Sequence, residues 1–184
     1  MESIKEKQKN TYTALREKLG FKTPMAAIRV LKVVVNSGTG KHSRTDKSKN
    51  EFVAGRLTQI TGQKASARGA KLSVASFKLR EGDVIGQMVT LRGQRMYDFL
   101  DRLFNIAIPR IRDFRGFSKS SVDSMGNFTI GIREHNIFPE TADEELKDVF
   151  GLSVTIVTSA KNREEALALF DHLGIPFKKL ATDE

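Results

Sequence analysis

The chain has no cysteine at all, which excludes disulfides, thiolate metal sites and a cysteine nucleophile in one step and suits a reducing, cytosolic home. No stretch approaches the roughly 18 consecutive apolar residues of a membrane span, and the opening residues MESIKEKQKN lack the apolar core of a signal peptide. A soluble intracellular protein is expected. Histidines are only three, and His42, His135 and His172 show no HxxxH or HExxH spacing, so each reads as a surface or packed histidine. The acidic neighbours Asp143, Glu144 and Glu145 read as a solvated face, not a facing acid/base pair. A methyl-donor loop, a metal constellation and a nucleophile motif are all missing, so neither metal nor cofactor is expected.

What the chain does have is positive charge. Its 184 residues carry 31 Lys+Arg against 22 Asp+Glu, a net of +9, with a pI near 9.9. Residues 1–133 hold 26 basic against 11 acidic residues, whereas 134–184 hold 5 against 11. The basic excess is thus confined to the first three quarters, as in a partner of polyanions. A membrane surface is the competing polyanion, but no basic helix with a strong free apolar face is evident near either end. Nucleic acid is favoured.

The densest arginine stretch is Thr90–Phe117, with six arginines against three aspartates. Met96, Phe99, Leu100, Leu103 and Phe104 recur at helical spacing and predict a buried stripe, with Asp98 and Arg102 as an i,i+4 pair. Pro109 is expected to end the helix. Beyond it, Arg110, Arg112 and Arg115 alternate with Ile111, Phe114 and Phe117. Those rings are read either as contacts for planar groups or as core anchors of a long loop.

Taken in order, the chain predicts a helix over about Ile4–Leu19, with Ile4, Tyr12, Leu15 and Leu19 on one side, and a strand over Ile28–Asn36. In that strand Leu31, Val33 and Val35 face one way and Lys32, Val34 and Asn36 the other. It empties into Ser37-Gly38-Thr39-Gly40-Lys41. A P-loop would need glycine at Val35 and Ser or Thr at His42, so a nucleoside-triphosphatase is excluded; backbone amides with Lys41, Arg44, Lys47 and Lys49 can still cradle a phosphodiester. A helix over Asn50–Thr61 buries Val53, Leu57 and Ile60, and a short strand over Lys64–Arg68 leads into an exposed, mobile loop with its tip near Phe77–Asp83. Strands follow at Val84–Arg92 (Ile85, Val89 and Leu91 against Met88, Thr90 and Arg92), Asn127–Arg133 (Phe128, Ile130 and Ile132 inward) and Leu152–Thr158 (Leu152, Val154 and Ile156 inward). Phe138–Glu140 and the acidic Thr141–Asp148 form a capped turn or short helix. The last helix, about Asn162–Leu173, buries Ala166, Leu167, Phe170 and Leu173. If the apolar strand faces pack on helices, the other face carries Lys32, Asn36, Thr90, Arg92, Thr129, Arg133, Ser153 and Thr155, a polar, basic platform suited to folded RNA.

Nearly the whole chain resembles the universal large-subunit ribosomal protein five family. The resemblance rests on Asn36-Ser37-Gly38-Thr39-Gly40, Thr61-Gly62-Gln63-Lys64, Ser73-Val74-Ala75 with Phe77-Lys78-Leu79-Arg80, Ile85-Gly86, Val89-Thr90-Leu91-Arg92-Gly93, Pro109-Arg110-Ile111-Arg112-Asp113-Phe114-Arg115-Gly116, Gly126-Asn127-Phe128, Ile137-Phe138-Pro139-Glu140 and Gly174-Ile175-Pro176-Phe177. It implies an α+β fold: a single two-layer domain over 1–184, with a mixed, mostly antiparallel sheet, helices on one face and the other open for RNA. Residues 1–24 are its N-terminal helix and linker. The implied partners are 5S rRNA in the central protuberance, large-subunit rRNA, peptidyl-site tRNA, neighbouring central-protuberance proteins and a protein of the small-subunit head; no membrane is implied. The implied 5S rRNA residues are Lys32, Asn36, Gly38, Gly40, Gln63, Lys64, Thr90 and Arg92. The loop 73–83 with Phe77, Lys78 and Arg80 is implied to reach the tRNA, and Arg110, Arg112, Arg115, Glu140, Asp143 and Glu144 the small subunit. Three places depart from the family: Ser37 replaces a long or amide side chain, Arg68–Leu72 replaces a basic TKARK-like run, and Ser76 replaces a glycine. The alternatives are an RNA-modifying enzyme and a protein-only interaction module.

Overall fold

In the computed structural model, residues 3–40, 48–141 and 149–178 are described. Among the described residues, four α-helices, α1 (Ile4–Leu19), α2 (Ser48–Thr61), α3 (Gly93–Arg102) and α4 (Arg163–Leu173), accompany five strands: β1 (Val30–Gly38), β2 (Ser66–Gly69), β3 (Val84–Leu91), β4 (Phe128–Ile132) and β5 (Leu152–Thr158). The strands form one sheet in the order β2-β3-β1-β5-β4. The β2–β3 pair is antiparallel, with Ser66 opposite Met88 and Arg68 opposite Gly86. β1 and β5 also run opposite ways. The start of β1 meets the end of β5 where the Arg29 amide donates to Ser159 Oγ at 3.0 Å, and its end meets the start of β5 where Ser153 Oγ donates to the Asn36 carbonyl at 3.4 Å. The class is therefore α+β with an antiparallel sheet, and the chain groups into two compact units.

The first unit comprises Met1–Val33, Arg92–Ile130 and Thr155–Glu184. Its helix α1 starts at a reciprocal capping box between Ser3 and Glu6 and ends at Gly20 with φ +68°, a left-handed position that glycine fills without strain. Several bonds fix α1 in its unit. The Ile4 amide donates to Asp101 Oδ1 at 2.8 Å, Gln8 Nε2 donates to the Ile28 carbonyl at 3.0 Å, and Lys7 Nζ caps the C-terminal Leu173 carbonyl of α4 at 3.0 Å. The buried residues of α1 are Ile4, Thr11 and Leu15, with Tyr12 and Leu19 half-buried. Gln8 Oε1 also accepts the Val30 amide at 3.1 Å. Val30 faces inward there and Leu31 is 43% exposed, so the expected inward face of this strand starts only at Val33: side chains alternate, and Lys32 marks where the phase changes.

Helix α3 buries Met96, Phe99 and Leu100. Past it, Leu103–Ala107 forms a π turn and Ile108–Arg110 a 3₁₀ turn, so the helical path runs through Pro109 instead of stopping before it. Proline sits in the first turn of that last segment, where its missing N–H has no partner to lose. Phe104 is half-buried, and Asp98 accepts from Gln94 Nε2 at 2.7 Å. In α4, Ala166, Phe170 and Leu173 are buried as expected, joined by Ala168 and Leu169, while Leu167 is half-buried. At the turn before β4, the Asn127 side chain and amide donate to Asp123 at 2.9 and 2.7 Å; the side-chain bond, against desolvation and with help from the backbone bonds, holds this carboxyl below the usual aspartate range. Burial pushes the Tyr97 hydroxyl up, opposed by the charge of Arg29.

The second unit comprises Val34–Leu91 and Gly131–Val154. Helix α2 lays Val53, Leu57 and Ile60 against β3, as its spacing predicts, and Gly62 with φ +67° ends it. Val33 and Val35 keep the inward register along β1, and Ser37 and Thr39 continue it. His135 is fully buried, stacked on Phe150 at 4.1 Å, and its Nδ1 accepts the Phe150 amide at 3.3 Å. It is a packed histidine. Pro139–Thr141 is a 3₁₀ turn.

Candidate functional site

In the second unit, the end of β1 lies against the start of β3, and the end of α2 lies against the end of β3. From Val34 onward the even-numbered residues of β1 point away from the helix side, which leaves Asn36 and Gly38 exposed and Gly40 partly so. The Asn36 backbone is held, since its carbonyl accepts from Ser153. Its side-chain amide has no intramolecular hydrogen bond among the described residues. Gly86 explains the room around it. A Cβ there would lie 3.1 Å from the Ser37 carbonyl oxygen and 3.9 Å from Asn36 Oδ1, so a side chain on β3 would press on the β1 backbone. The Thr39 amide donates to the Ile85 carbonyl at 2.8 Å, which fixes the start of the glycine loop against β3.

Gln63 and Lys64 follow the left-handed turn at Gly62. Thr61 Oγ1 donates to the Leu57 carbonyl at 2.6 Å and accepts the Gln63 amide at 3.4 Å. From that anchored turn Gln63 Nε2 reaches the Thr90 carbonyl at 3.1 Å, leaving Oε1 as an acceptor. Lys64 is exposed and Thr90 half-buried. The structure thus brings Gln63 to Thr90, and it presents Asn36, Gly38, Gly40 and Lys64 on the same unit. Lys32, half-buried, and Arg92, exposed, belong to the first unit. Lys41, Arg44 and Lys47 lie outside the described residues, and Lys49 stands in the first turn of α2.

The segment after β2 is an exposed hairpin arm. Ala70 and Asp83 are joined at its base by the Ala70 amide at 2.9 Å, and Val74 and Leu79 exchange amides at 3.0 and 3.2 Å further out. The turn is Ala75–Lys78, with Lys78 at φ +50°. This moves the tip forward from the expected Phe77–Asp83: Asp83 pairs at the base, and its Oδ2 accepts the Arg80 amide at 2.8 Å. Phe77 at 66% exposure, Lys78 and Arg80 all stand in water.

The arginine segment separates into two roles. Phe114 and Phe117 rings lie 4.9 Å apart, Phe117 meets Phe128 at 5.5 Å, and Phe128 meets Phe177 at 5.4 Å. The rings anchor the segment: Phe114 and Phe117, both half-buried, pack on each other, and Phe117 packs on the buried Phe128. Arg110, Arg112 and Arg115 are exposed. The end of the segment is pinned by the tail: the Phe117 amide donates to the Pro176 carbonyl and the Lys178 amide to the Phe117 carbonyl, both at 2.8 Å. Glu140 is exposed in the second unit, and Asp143 and Glu144 lie outside the described residues. Among the described residues no group of three or more His, Asp or Glu is placed to hold a metal, and no helix is long and apolar enough to cross a membrane.

Sequence reasoning missed the inward Ser37 and Thr39. Ser37 Oγ donates to the Gly151 carbonyl at 2.8 Å, so this departure from the family pattern is a structural tie on the helix side and not a presented group. The signal was available, because Val33 and Val35 set an odd-numbered inward register that runs on through 37 and 39.

Two family profiles match consecutive parts of the chain: "Ribosomal protein L5" over residues 23–80 and the C-terminal profile of the same ribosomal family over residues 84–177. Among curated proteins, the large ribosomal subunit protein uL5 of Chloroflexus aurantiacus is 51% identical over 176 residues, covering 95% of this chain and 97% of that protein. The same protein of Anaeromyxobacter sp. strain K is 48% identical over 177 residues, covering 96% and 98%. That of Trichlorobacter lovleyi is 50% identical over 171 residues, covering 93% and 95%.

Proposed function

Because this chain belongs to the ribosomal protein L5 family along nearly its whole length, and is thereby a structural, non-enzymatic constituent of the large subunit of the cytoplasmic ribosome, we propose that it binds 5S rRNA through the open face of its second unit. The observation that carries this reading is Asn36, an exposed amide on a fixed backbone with no intramolecular hydrogen bond among the described residues, two residues before an exposed Gly38 with open space where a Cβ would stand. Gln63 Oε1 and the Thr90 side chain supply further polar groups on that unit. Lys64 neutralises phosphate beside them, and Lys32 and Arg92 do so on the first unit. Phosphate contacts give salt-dependent affinity, while the buried polar contacts select the shape of the RNA.

The remaining partners follow the same division. The hairpin arm, with Phe77, Lys78 and Arg80, contacts peptidyl-site tRNA. The exposed guanidiniums of Arg110, Arg112 and Arg115, and Glu140 with Asp143 and Glu144, bridge to a protein of the small-subunit head, and neighbouring proteins of the central protuberance complete the setting. Filter-binding titration with a 5S rRNA transcript tests the main reading. Asn36→Ala or Thr90→Ala is expected to weaken binding by about 1–3 kcal/mol, because each leaves an RNA group unpaired in a dry interface. Unchanged affinity would remove that residue from the site.

A further inference from the structure

Just past the pinned Phe117, Ser118 presents a hydroxyl to water in a cationic setting. Its backbone is extended, with φ −71° and ψ 135°, and it stands in front of the 3₁₀ turn Lys119–Ser121. Its Oγ shares a hydrogen bond with Ser120 Oγ at 2.7 Å and accepts the Ser120 amide at 3.3 Å. Arg115 lies three residues before it and Arg112 six before it. In the whole sequence Ser118 is the one serine or threonine with an arginine at the third preceding position. Arg112, Arg115 and Ser118 are all exposed, and residues 111–118 lie outside helix and strand.

Further cations surround the serine within the same unit. Lys119 follows it in sequence and is exposed. Arg163, at the start of α4, donates Nη2 to the Lys119 carbonyl at 2.8 Å, which brings a guanidinium to the next peptide. The Lys178 amide is bonded to the Phe117 carbonyl, so the tail adds a basic residue beside it. Two carboxylates of these elements are engaged elsewhere: Asp123 accepts from Asn127, and Glu165 Oε2 accepts the Lys161 amide at 2.9 Å.

We propose that Ser118 is a phosphorylation site, the acceptor for a serine kinase that reads the arginines three and six residues before it and uses a nucleoside triphosphate as phosphoryl donor. Kinases discriminate substrates by charge pattern, and guanidiniums pair bidentately with the carboxylates of such a cleft. In the transfer Ser118 Oγ attacks the γ-phosphorus. The Oγ–P bond forms, the bond from that phosphorus to the β–γ bridging oxygen breaks, the hydroxyl proton passes to the kinase's aspartate and the nucleoside diphosphate leaves. The product carries about −1.5 to −2 charge and three acceptor oxygens. Arg163 and Lys119 stabilise that anion, and it offsets the exposed charge of Arg112 and Arg115 in turn. The modification thus switches the arginine segment from cationic toward neutral. Its consequence for the small-subunit face rests on the bridging reading; the modification itself does not.

The test incubates the full chain with a purified arginine-directed serine kinase and ATP labelled at the γ-phosphate, and maps the label by peptide mass spectrometry. Label is expected on Ser118, absent from Ser118→Ala and retained by Ser118→Thr, which keeps the hydroxyl if the alanine variant loses the turn. Arg112→Gln combined with Arg115→Gln is expected to lower kcat/KM for phosphorylation by about tenfold or more. An unlabelled parent, label persisting on Ser118→Ala, or an unchanged kcat/KM each overturns the proposal. In the phosphorylated chain, phosphorus NMR should place the second phosphate pKa below its ordinary value of about 6 and return it toward that value in Arg163→Gln. Identical titrations in the two chains overturn the anchoring by α4. Both readouts use the free chain, so failure of the bridging reading leaves them standing; that reading fails instead if large subunits carrying phosphorylated and unmodified protein join small subunits equally well.

Discussion

Gly116 is the position where a single methyl group should do most damage to the arginine segment. Its φ is +95°, and a Cβ built there would lie 2.8 Å from both the Lys178 nitrogen and the Phe177 carbonyl carbon, with the Phe177 oxygen at 3.0 Å. All three atoms are backbone, so no side chain can swing aside. Two costs combine in Gly116→Ala. The left-handed backbone costs an L-residue about 1–2 kcal/mol, and moving the tail strains or breaks the two 2.8 Å bonds that join Phe117 to Pro176 and Lys178, each worth about 0.5–1.5 kcal/mol. The sum is about 2–5 kcal/mol. Gly20→Ala is the matched control in the same unit, since Gly20 has φ +68° but nothing within 4 Å of its Cβ; it should cost only about 1–2 kcal/mol. In a chain of this size each kcal/mol moves the melting midpoint by roughly 2–4 °C, so the two variants, about 1–3 kcal/mol apart, should differ by roughly 2–12 °C in a circular-dichroism melt. Amide hydrogen exchange at Phe117 and Lys178 should accelerate in Gly116→Ala alone. Equal melting losses, or protected amides, would refute the claim that the tail backbone holds the arginine segment.

Other consequences can be measured on the same material. Thr39 is buried with an Oγ1 that finds no hydrogen-bond partner among the described residues, so Thr39→Val should raise the urea midpoint, by about 1 kcal/mol equivalent; a lowered midpoint would mean that the hydroxyl is satisfied. Asp123 titrates below its unfolded value because of Asn127, so its contribution is present above the unfolded aspartate pKa and is lost as pH falls through the lower folded one. Asn127→Ala should raise the Asp123 pKa toward the ordinary range in an NMR titration, and an unmoved titration would exclude the side-chain bond as the cause. Lys78→Glu with Arg80→Glu should leave 5S rRNA affinity within about twofold while perturbing peptidyl-site tRNA binding on reconstituted ribosomes; a large loss of 5S affinity would contradict the division between arm and sheet face.

Much of this architecture was legible because its signals are local. Gly20 and Gly62 stop α1 and α2 where the periodicity ends, and the alternation of Leu152, Val154 and Ile156 against Ser153 and Thr155 sets β5 to the residue. The open-face placement of Asn36 and Thr90 followed from the same period of two. What escaped depends on distant partners. Leu31 turns outward because Gln8 of α1 engages the backbone at Val30, some twenty residues away. Ser37 turns inward to a carbonyl at Gly151. The rings of Phe114 and Phe117 had two readings in the sequence, and only the positions of Phe128 and Phe177 decide that they are anchors. The arm tip shifted because Asp83 caps Arg80 and pairs with Ala70, contacts across the hairpin that composition does not encode. The arginine-rich stretch therefore resolves into a buried helix, a pinned aromatic turn and a few exposed guanidiniums, not one patch.

The central claim, that the second unit selects 5S rRNA, is tested most directly by competition. Parent protein bound to labelled 5S rRNA transcript at near-physiological salt is challenged with unlabelled 5S rRNA or with an unrelated folded RNA of equal length. The account predicts displacement by 5S rRNA at concentrations at least about a hundredfold below those the unrelated RNA needs, with Asn36→Ala narrowing that gap. Equal displacement by the two RNAs would leave only non-specific phosphate attraction and would contradict it.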